Sequence, residues 1–430
     1  MRCWRRRQRW TNLDSGRLQN SHHVGVERLG HACQTKRGLM GFESLESVSG
    51  APRYFAKCLA SMEGLLVQEL EDAGALNVDC VRRGAQFEAD MAALIRICIS
   101  SRHALRVLRP VYAFEASTPE VLYEYARGFD WGAVMSHDAS FAIDATVYSK
   151  HFSHSQYAML KLKDAIADHF RAQSHGIRPS VDRERPDVRI HLHISHAEVT
   201  ISLDAAGEPL SRRGYRPEGA KAPLNECLAA GLLGLAGWEP GMTLYDPMCG
   251  SGTFTVEAVL QASGWPVNWH RRRFAFMHWR GFDEDEWWAV RDELAAAREP
   301  VETKIYTSDR DFGAVSRTRQ ALSNMELDGA AELGRMDFFK LSPRSEEGLL
   351  VLNPPYGERM QENDLIAFYE AIGDRLKFHW SGFSAWIISS DQEALKRVGL
   401  RPHRRHGVFN GPLECRWAGF DIRAEPEASH

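Results

Sequence analysis

Two short runs carry the residues best suited to chemistry. Asn353-Pro354-Pro355-Tyr356 directly follows an apolar stretch ending at Leu352, and Asp246-Pro247-Met248-Cys249-Gly250-Ser251-Gly252-Thr253 lies upstream of it. An exocyclic amine on a nucleobase is a poor nucleophile, because its lone pair is delocalised into the ring. Two acceptors at fixed positions, the Asn353 side-chain oxygen and the Pro354 carbonyl, can bond both amine hydrogens and aim the lone pair at an electrophilic methyl group. The prolines stiffen the loop and withhold competing N–H donors, and Tyr356 offers an aromatic face to a base taken out of its stack. Positioning then supplies most of the acceleration. No strong general base is required, since the proton can leave after transfer.

The upstream run suits the donor of that methyl group. Gly250 and Gly252 let a ligand approach the backbone closely, and the helix that follows offers free N–H groups at its positive dipole end. Pro247, Ser251 and Thr253 complete the loop. Asp309, with Asp311 two residues on, ends the next predicted strand, where an acid can accept both hydroxyls of a ribose. The loop reads G-S-G-T-F-T rather than G-x-G-x-x-G, which disfavours a pyrophosphate cofactor and favours an adenosine without one. Asp337-Phe338 follows a third strand. There a carboxylate can accept from an adenine amine and a backbone N–H can reach a ring nitrogen. With Asn353 closing the set, the expected cofactor is S-adenosylmethionine.

These residues need a scaffold that gathers strand ends. Strands predicted at 243–246, 304–307, 349–352 and 384–388 alternate with helices at 224–236, 255–261, 313–324 and 367–377. That alternation implies right-handed crossovers and a parallel, doubly wound α/β sheet over residues 223–424, with ligands at the carboxyl ends of its strands. Upstream, residues 52–112 read as a small α+β unit with strands at 54–58, 86–89 and 105–108 and helices at 64–73 and 92–99. Residues 113–205 form a second unit. It has a helix at 118–126 capped by Thr118, a strand at 141–147, an amphipathic helix at 156–173, and a hairpin of strands 188–194 and 198–203. Residues 206–222, containing Arg212-Arg213-Gly214-Tyr215-Arg216-Pro217, read as a linker or entrance loop. The first 51 residues open on a basic run and show no periodicity, so a disordered extension is expected there, with Met40 as an alternative initiator.

Composition bounds the rest. A chain of 430 residues, 44% hydrophobic and 26% charged, is ordinary for a soluble globular protein of two or three domains. No apolar run approaches the roughly 20 residues that cross a bilayer, so no membrane span is expected. The eight cysteines are scattered without a C-x-x-C pair, which suits free thiols in a reducing cytoplasm. Cys249 reads as a small residue packing its loop, since no base accompanies it in sequence. His191 and His193 share one strand face but lack an acidic or cysteine partner, so no metal is expected. The net charge of -4 does not advertise nucleic-acid binding. Local basic clusters do occur, at Arg271-Arg272-Arg273, at 401–406, and at Arg178, Arg183, Arg185 and Arg189. A monomer is expected.

Residues 210–232, the DPMCGSGT loop, Thr307-Ser308-Asp309-Arg310-Asp311 and the NPPYGERM run together resemble the THUMP-domain RNA guanine-N2 methyltransferases. The resemblance extends from about residue 53 to 423. It implies a Rossmann-like class I methyltransferase domain preceded by α+β ferredoxin-like and THUMP domains. It also implies structured RNA as partner, with 23S rRNA ahead of tRNA. The cofactor role would fall on Asp246, Gly250, Gly252, Asp309 and Asp337, and the amine-binding role on Asn353 to Tyr356. Asn225-Glu226-Cys227 departs from the Arg-Glu-Asn-like run expected there. The motif alone also serves adenine-N6 and glutamine amines of DNA and protein substrates, and a non-catalytic RNA-binding protein could retain the fold.

Overall fold

The computed structural model describes residues 49–152, 154–217, 224–355 and 362–423. The expected disordered extension therefore lies outside the described residues except for 49–51.

Upstream of the catalytic sheet the order is β1 (Arg53–Lys57), α1 (Glu63–Asp72), β2 (Leu76–Val81), β3 (Gly84–Glu88), α2 (Met91–Ser100) and β4 (Arg106–Glu115). Then come α3 (Pro119–Gly128), β5 (Ser140–Tyr148), α4 (Ser155–Gln173), β6 (Ser180–Val181), β7 (Val188–Ser195) and β8 (Glu198–Asp204). The two predicted units share a single 8-stranded sheet ordered β2-β3-β1-β4-β8-β7-β5-β6. β4 joins them, pairing with β1 on one side and β8 on the other. Its length makes this possible, because Arg106 to Leu108 meet β1 while Leu108 to Glu115 run along β8.

Alternation decides which side of the sheet is core. Ile190, Leu192 and Ile194 of β7 and Val199, Ile201 and Leu203 of β8 pack with Leu66 and Leu70 of α1, Leu94 of α2, and Leu162, Ile166 and Phe170 of α4. The intervening Arg189, His191 and His193 belong to the other face. Thr118 caps α3 as expected, its Oγ1 accepting from Val121 N at 3.3 Å. β2 escaped sequence detection because it is an edge strand, mostly exposed and with a register break between Leu76 and Asp79. Such a strand shows no buried alternation.

The catalytic half runs α5 (Glu226–Leu235), β9 (Leu244–Asp246), α6 (Thr253–Ala262), α7 (Glu284–Ala296), β10 (Ile305–Asp309), α8 (Phe312–Ser323) and β11 (Glu332–Arg335). It continues through β12 (Gly348–Leu352), α9 (Glu362–His379), β13 (Phe383–Ser389), α10 (Gln392–Lys396), β14 (Arg404–Asn410) and β15 (Leu413–Asp421). The 7-stranded sheet is ordered β11-β10-β9-β12-β13-β15-β14. Strands β9 to β13 are parallel as expected, but β15 runs antiparallel to β13 and β14 antiparallel to β15. The wholly parallel sheet is corrected at this edge, where a tight turn at Gly411, φ +62°, closes a hairpin that needs no crossover helix. Much of the basic run at 401–406 is thus edge strand rather than loop.

Leu244, Leu349 and Val351 pack on one face with Leu228, Leu232, Val256 and Val259 of α5 and α6. Tyr245, Leu350 and Leu352 pack on the other with Tyr369, Ile372 and Leu376 of α9. α7 is hard to read from sequence because its charged residues, Glu284 to Glu286 and Arg291 to Glu293, break up its apolar pattern. Its Trp287 and Val290 nevertheless join the core of the upstream module. Among the described residues no helix is long and apolar enough to cross a membrane. Cys58, Cys98, Cys227, Cys249 and Cys415 are free and buried.

Candidate active site

Asp246 ends β9 at 1% exposure, and its Oδ2 accepts from Thr255 Oγ1 at 2.8 Å. Thr255 lies on the helix that follows the glycine loop, and its hydroxyl also meets Thr307 Oγ1 of β10 at 2.9 Å. Two strands and a helix are thereby pinned around one carboxylate. The other oxygen, Oδ1, is buried with no hydrogen-bond partner. Burial pushes this carboxyl up to about 7, and nearby Asp309 adds to the shift against the hydrogen bond from Thr255. A buried acceptor without a donor costs about 1–3 kcal/mol, a cost that a cationic or N–H-bearing ligand would relieve.

The loop takes its shape from two left-handed glycines. Gly250 has φ +57° and Gly252 φ +78°. A Cβ at Gly252 would lie 2.5 Å from Thr318 Cγ2 of α8, whereas one at Gly250 would meet open space. Gly252 is therefore required for packing of the loop on α8, and Gly250 leaves room above the loop. Gly250 N donates to Asp309 Oδ2 at 3.1 Å and Cys249 N to the Ser308 carbonyl at 3.1 Å, so the loop is laced to the end of β10. Burial holds the Cys249 thiol well above its ordinary range, and its Sγ receives a hydrogen bond from Thr318 Oγ1 at 3.4 Å. A neutral, buried thiol is no nucleophile.

Asp309 and Asp311 differ in what they hold. Asp309 Oδ1 accepts from Asp311 N at 2.9 Å. Asp311 caps α8, accepting from Gly313 N at 2.9 Å and Ala314 N at 3.2 Å, and it pairs with Arg317 at 3.3 Å. Asp337 Oδ1 accepts from Phe339 N at 3.0 Å at the start of a short 3-10 turn, and the Phe338 ring is buried against Trp380. Met336 N bonds the Asp309 carbonyl at 3.0 Å, which ties the end of β11 to that of β10. Two exposed apolar side chains flank these acids, Phe312 at 64% and Met336 at 41%. Sequence reading passed over both. The available signal was an apolar residue at the first helical position directly after a capping acid.

Asn353 stands just beyond β12, half-buried, with Pro354 buried behind it. Its Oδ1 is a second buried acceptor without a partner. Leu349 lies opposite Leu244 and Leu350 opposite Tyr245. From that register, strand rise and spacing put the Asn353 and Asp246 α-carbons about 8 Å apart. The two orphan acceptors thus share one rim of the sheet. Tyr356 lies outside the described residues. The Asn225 side chain caps α5, while Glu226 pairs with Arg216 at 3.0 Å, so these residues are engaged within the protein. A cavity of about 460 Å³ lined by Ser263, Arg298, Val301 and Ala330 sits at the amino ends of β10 and β11 and includes none of these groups. The place of these two acceptors at the carboxyl ends of β9 and β12, rather than cavity size, marks the site.

The basic clusters divide. Arg271 is spent on the carbonyls of Ala206, Glu208 and Pro209, and Arg189 on Asp144 and Glu208. Arg178, Arg183 and Arg185 are exposed. His191 and His193 stack at 6.4 Å. Burial, then His193 and Lys57, lower His191 to about 4, so it is neutral near pH 7. Among the described residues no group of three or more His, Cys, Asp or Glu side chains could hold a metal.

Comparison with known proteins agrees with this geometry. Residues 53–108 match the RlmL ferredoxin-like domain, 116–204 the THUMP domain, and 213–419 the RMKL-like methyltransferase domain. A protein of Syntrophotalea carbinolica named "Ribosomal RNA large subunit methyltransferase K/L" is 38% identical over 382 residues, covering 86% of this chain and 53% of its own. A Synechocystis protein named "Putative RNA methyltransferase" is 36% identical over 371 residues, covering 86% of this chain and 96% of its own. The chain thus spans about half the length of the K/L relatives it matches. A solved structure described as "a possible methylase" from Clostridium difficile 630 superposes with TM-score 0.78 at 27% identity, covering 87% of this chain and 99% of that one. A "putative methyltransferase complexed with SAH" has the same fold at TM-score 0.78 and 23% identity, again covering 87% and 99%. By its domains, its sheet order and its full-length relative, the chain belongs to the THUMP-domain, class I S-adenosylmethionine-dependent RNA methyltransferases.

Proposed function

We propose that the protein methylates the exocyclic N2 amine of a guanine in structured RNA, most directly 23S rRNA, acting as a monomer in the cytoplasm. The observation that carries this reading is the buried, unpartnered Asn353 Oδ1 beside the equally unpartnered Asp246 Oδ1. The names of the K/L relatives, which are large-subunit rRNA methyltransferases, support rRNA over tRNA.

When bound, S-adenosylmethionine supplies a sulfonium-activated methyl group. The residues present fit it. Asp246 offers a carboxylate oxygen to its ammonium, and Gly250 leaves open space over the loop that Pro247, Ser251 and Thr253 complete. Asp309 takes the ribose hydroxyls, Asp311 fixes the start of α8, and Phe312 and Met336 cover the faces of the adenine. Asp337 and the Phe338 backbone meet its edge.

Asn353 Oδ1 and the Pro354 carbonyl accept the two amine hydrogens, so that the nitrogen lone pair points at the methyl group. As the nitrogen–methyl bond formed and the sulfur–methyl bond broke, leaving a neutral thioether, the amine would become cationic and these acceptors would strengthen. Pro355 stiffens the loop, Tyr356 stacks on the base, and the released proton passes to solvent. The upstream sheet grips the RNA, with Arg178, Arg183 and Arg185 meeting phosphates.

The test is incubation of the purified protein and cofactor with ribosomal RNA from a strain lacking the gene, followed by nucleoside mass spectrometry. N2-methylguanosine in the large-subunit RNA is expected. N6-methyladenosine, or methyl groups in tRNA alone, would replace this substrate assignment.

A further inference from the structure

Within the segment expected to be a linker or entrance loop, two side chains are withdrawn from water. Arg213 is 2% and Tyr215 1% exposed. Arg213 Nε donates to Glu257 Oε1 at 2.8 Å, one Nη to the Arg102 carbonyl at 2.8 Å, and the other to the Ser101 carbonyl at 3.4 Å. Tyr215 Oη donates to the same Glu257 oxygen at 3.0 Å. Glu257 lies on α6, the helix that begins directly after Gly252 and whose Thr255 holds Asp246. Ser101 and Arg102 lie between α2 and β4, the strand that joins both halves of the upstream sheet.

Further bonds cross the same junction. Arg102 Nη2 donates to the Leu260 carbonyl of α6 at 3.3 Å. Beyond α6, Asn268 Nδ2 donates to the Cys98 carbonyl at 3.2 Å and Asn268 N to the Ile99 carbonyl at 2.9 Å. On the catalytic side, Asn324 at the end of α8 donates to the Tyr215 carbonyl at 3.0 Å. Arg213 thus bonds the root of the upstream sheet and the cofactor helix at the same time, beside the bond that Arg102 makes to α6.

A buried ion pair is a weak route to stability, because desolvation offsets its attraction and a well-packed apolar pair often does as well. What a guanidinium adds is a planar fork of donors that fixes angle as well as distance. We propose that Arg213 and Glu257 are positioning residues of a rigid joint that sets the reach from the RNA-gripping sheet to Asn353, and so selects which nucleotide is methylated. This rests on the function proposed above. Neither residue touches the cofactor or the base. They act through α6, whose position carries the glycine loop.

The test uses the full chain with spin labels at Y157C on α4 and F378C on α9, both native side chains being exposed. Arg213→Lys keeps the charge but loses the fork. The expected result is a broadened or shifted label-to-label distance distribution while cofactor affinity stays near that of the parent. Misplacement by about 1 Å can cost about 10²-fold in rate, so kcat/KM for RNA should fall on that order, with methyl groups appearing at neighbouring nucleotides. Glu257→Gln should do the same more mildly. If Arg213→Lys folds poorly, Tyr215→Phe removes one hydrogen bond and no charge, and should give a smaller broadening in the same direction. Unchanged distances together with an unchanged product map in a folded variant would overturn the joint. If the parent itself does not methylate RNA, the proposed function fails, whereas the distances still decide whether the joint is rigid.

Discussion

Replacing Asn353 with alanine should separate stability from activity. Its Oδ1 is buried and unbonded, so the change removes no hydrogen bond from the fold and relieves an acceptor whose burial costs about 1–3 kcal/mol. Because the residue is only half-buried, the lower end applies. A gain of about 1 kcal/mol corresponds to roughly 2–4 °C in the melting temperature of a domain of 150–250 residues. The Tm of N353A without ligands should therefore hold level or rise by that amount. Activity should move the other way. Losing one preorganised group aimed at developing charge costs about 10²–10³ in kcat, while cofactor affinity, measured by isothermal titration, should stay close to that of the parent. Thermal denaturation, cofactor titration and single-turnover methylation of RNA give the three readings. A Tm lowered by several degrees with parallel loss of cofactor binding would mean that Asn353 supports the fold and does not serve the amine.

Other perturbations probe the rest of the site. The Asp246 carboxyl titrates at about 7 folded against about 3.9 unfolded. The ligand-free folded state therefore holds the extra proton between those values, and this contribution is full below about pH 4 and lost as pH rises through about 7. Asp246→Asn should flatten the fall of Tm across that window, and a slope equal to the parent's would refute the assignment. Cofactor affinity in the parent should rise with pH through about 7, because the ionised carboxylate pairs with the ammonium. Calorimetry in buffers of different ionisation enthalpy should detect a proton released on binding below that pH. Gly252→Ala should lower both Tm and cofactor affinity. The left-handed φ alone costs about 1–2 kcal/mol, and the new Cβ would press on Thr318. Cys249→Ala should keep near-parental turnover, whereas loss of all activity would revive a nucleophile. Arg183→Glu with Arg185→Glu should raise KM for RNA and reduce the salt dependence of binding by about one counterion per lost phosphate contact, with no effect on cofactor titration.

Much of the site could be read from the chain because strand-end chemistry is local. Asn353 follows a short apolar run, Asp246 and Asp309 end short strands, and the glycines between Asp246 and Thr253 announce a turn where side chains are unwelcome. The antiparallel hairpin β14–β15 was less legible. Its charged first strand, Arg404 to Asn410, lacks the apolar run that marked the parallel strands. Likewise α7 hides its core contact behind a charged surface, with only Trp287 and Val290 buried.

By itself, the sequence determined the alternation of strands and helices around the site, the parallel core of the catalytic sheet, and the residue types that meet at its rim. These follow from periodicity and from side-chain chemistry, both of which act over a few neighbouring residues. Only tertiary structure decided that two upstream units share one sheet, because strand pairing is a long-range choice made where β4 meets both β1 and β8. Only it decided that Asp311 spends its carboxylate on a helix cap while Asp246 and Asn353 each keep an oxygen free. It also buried Arg213 and Tyr215 within an apparent linker. Arg213 reads in sequence as one more surface cation, and only packing that brings Glu257, Ser101 and Arg102 around it withdraws it from water.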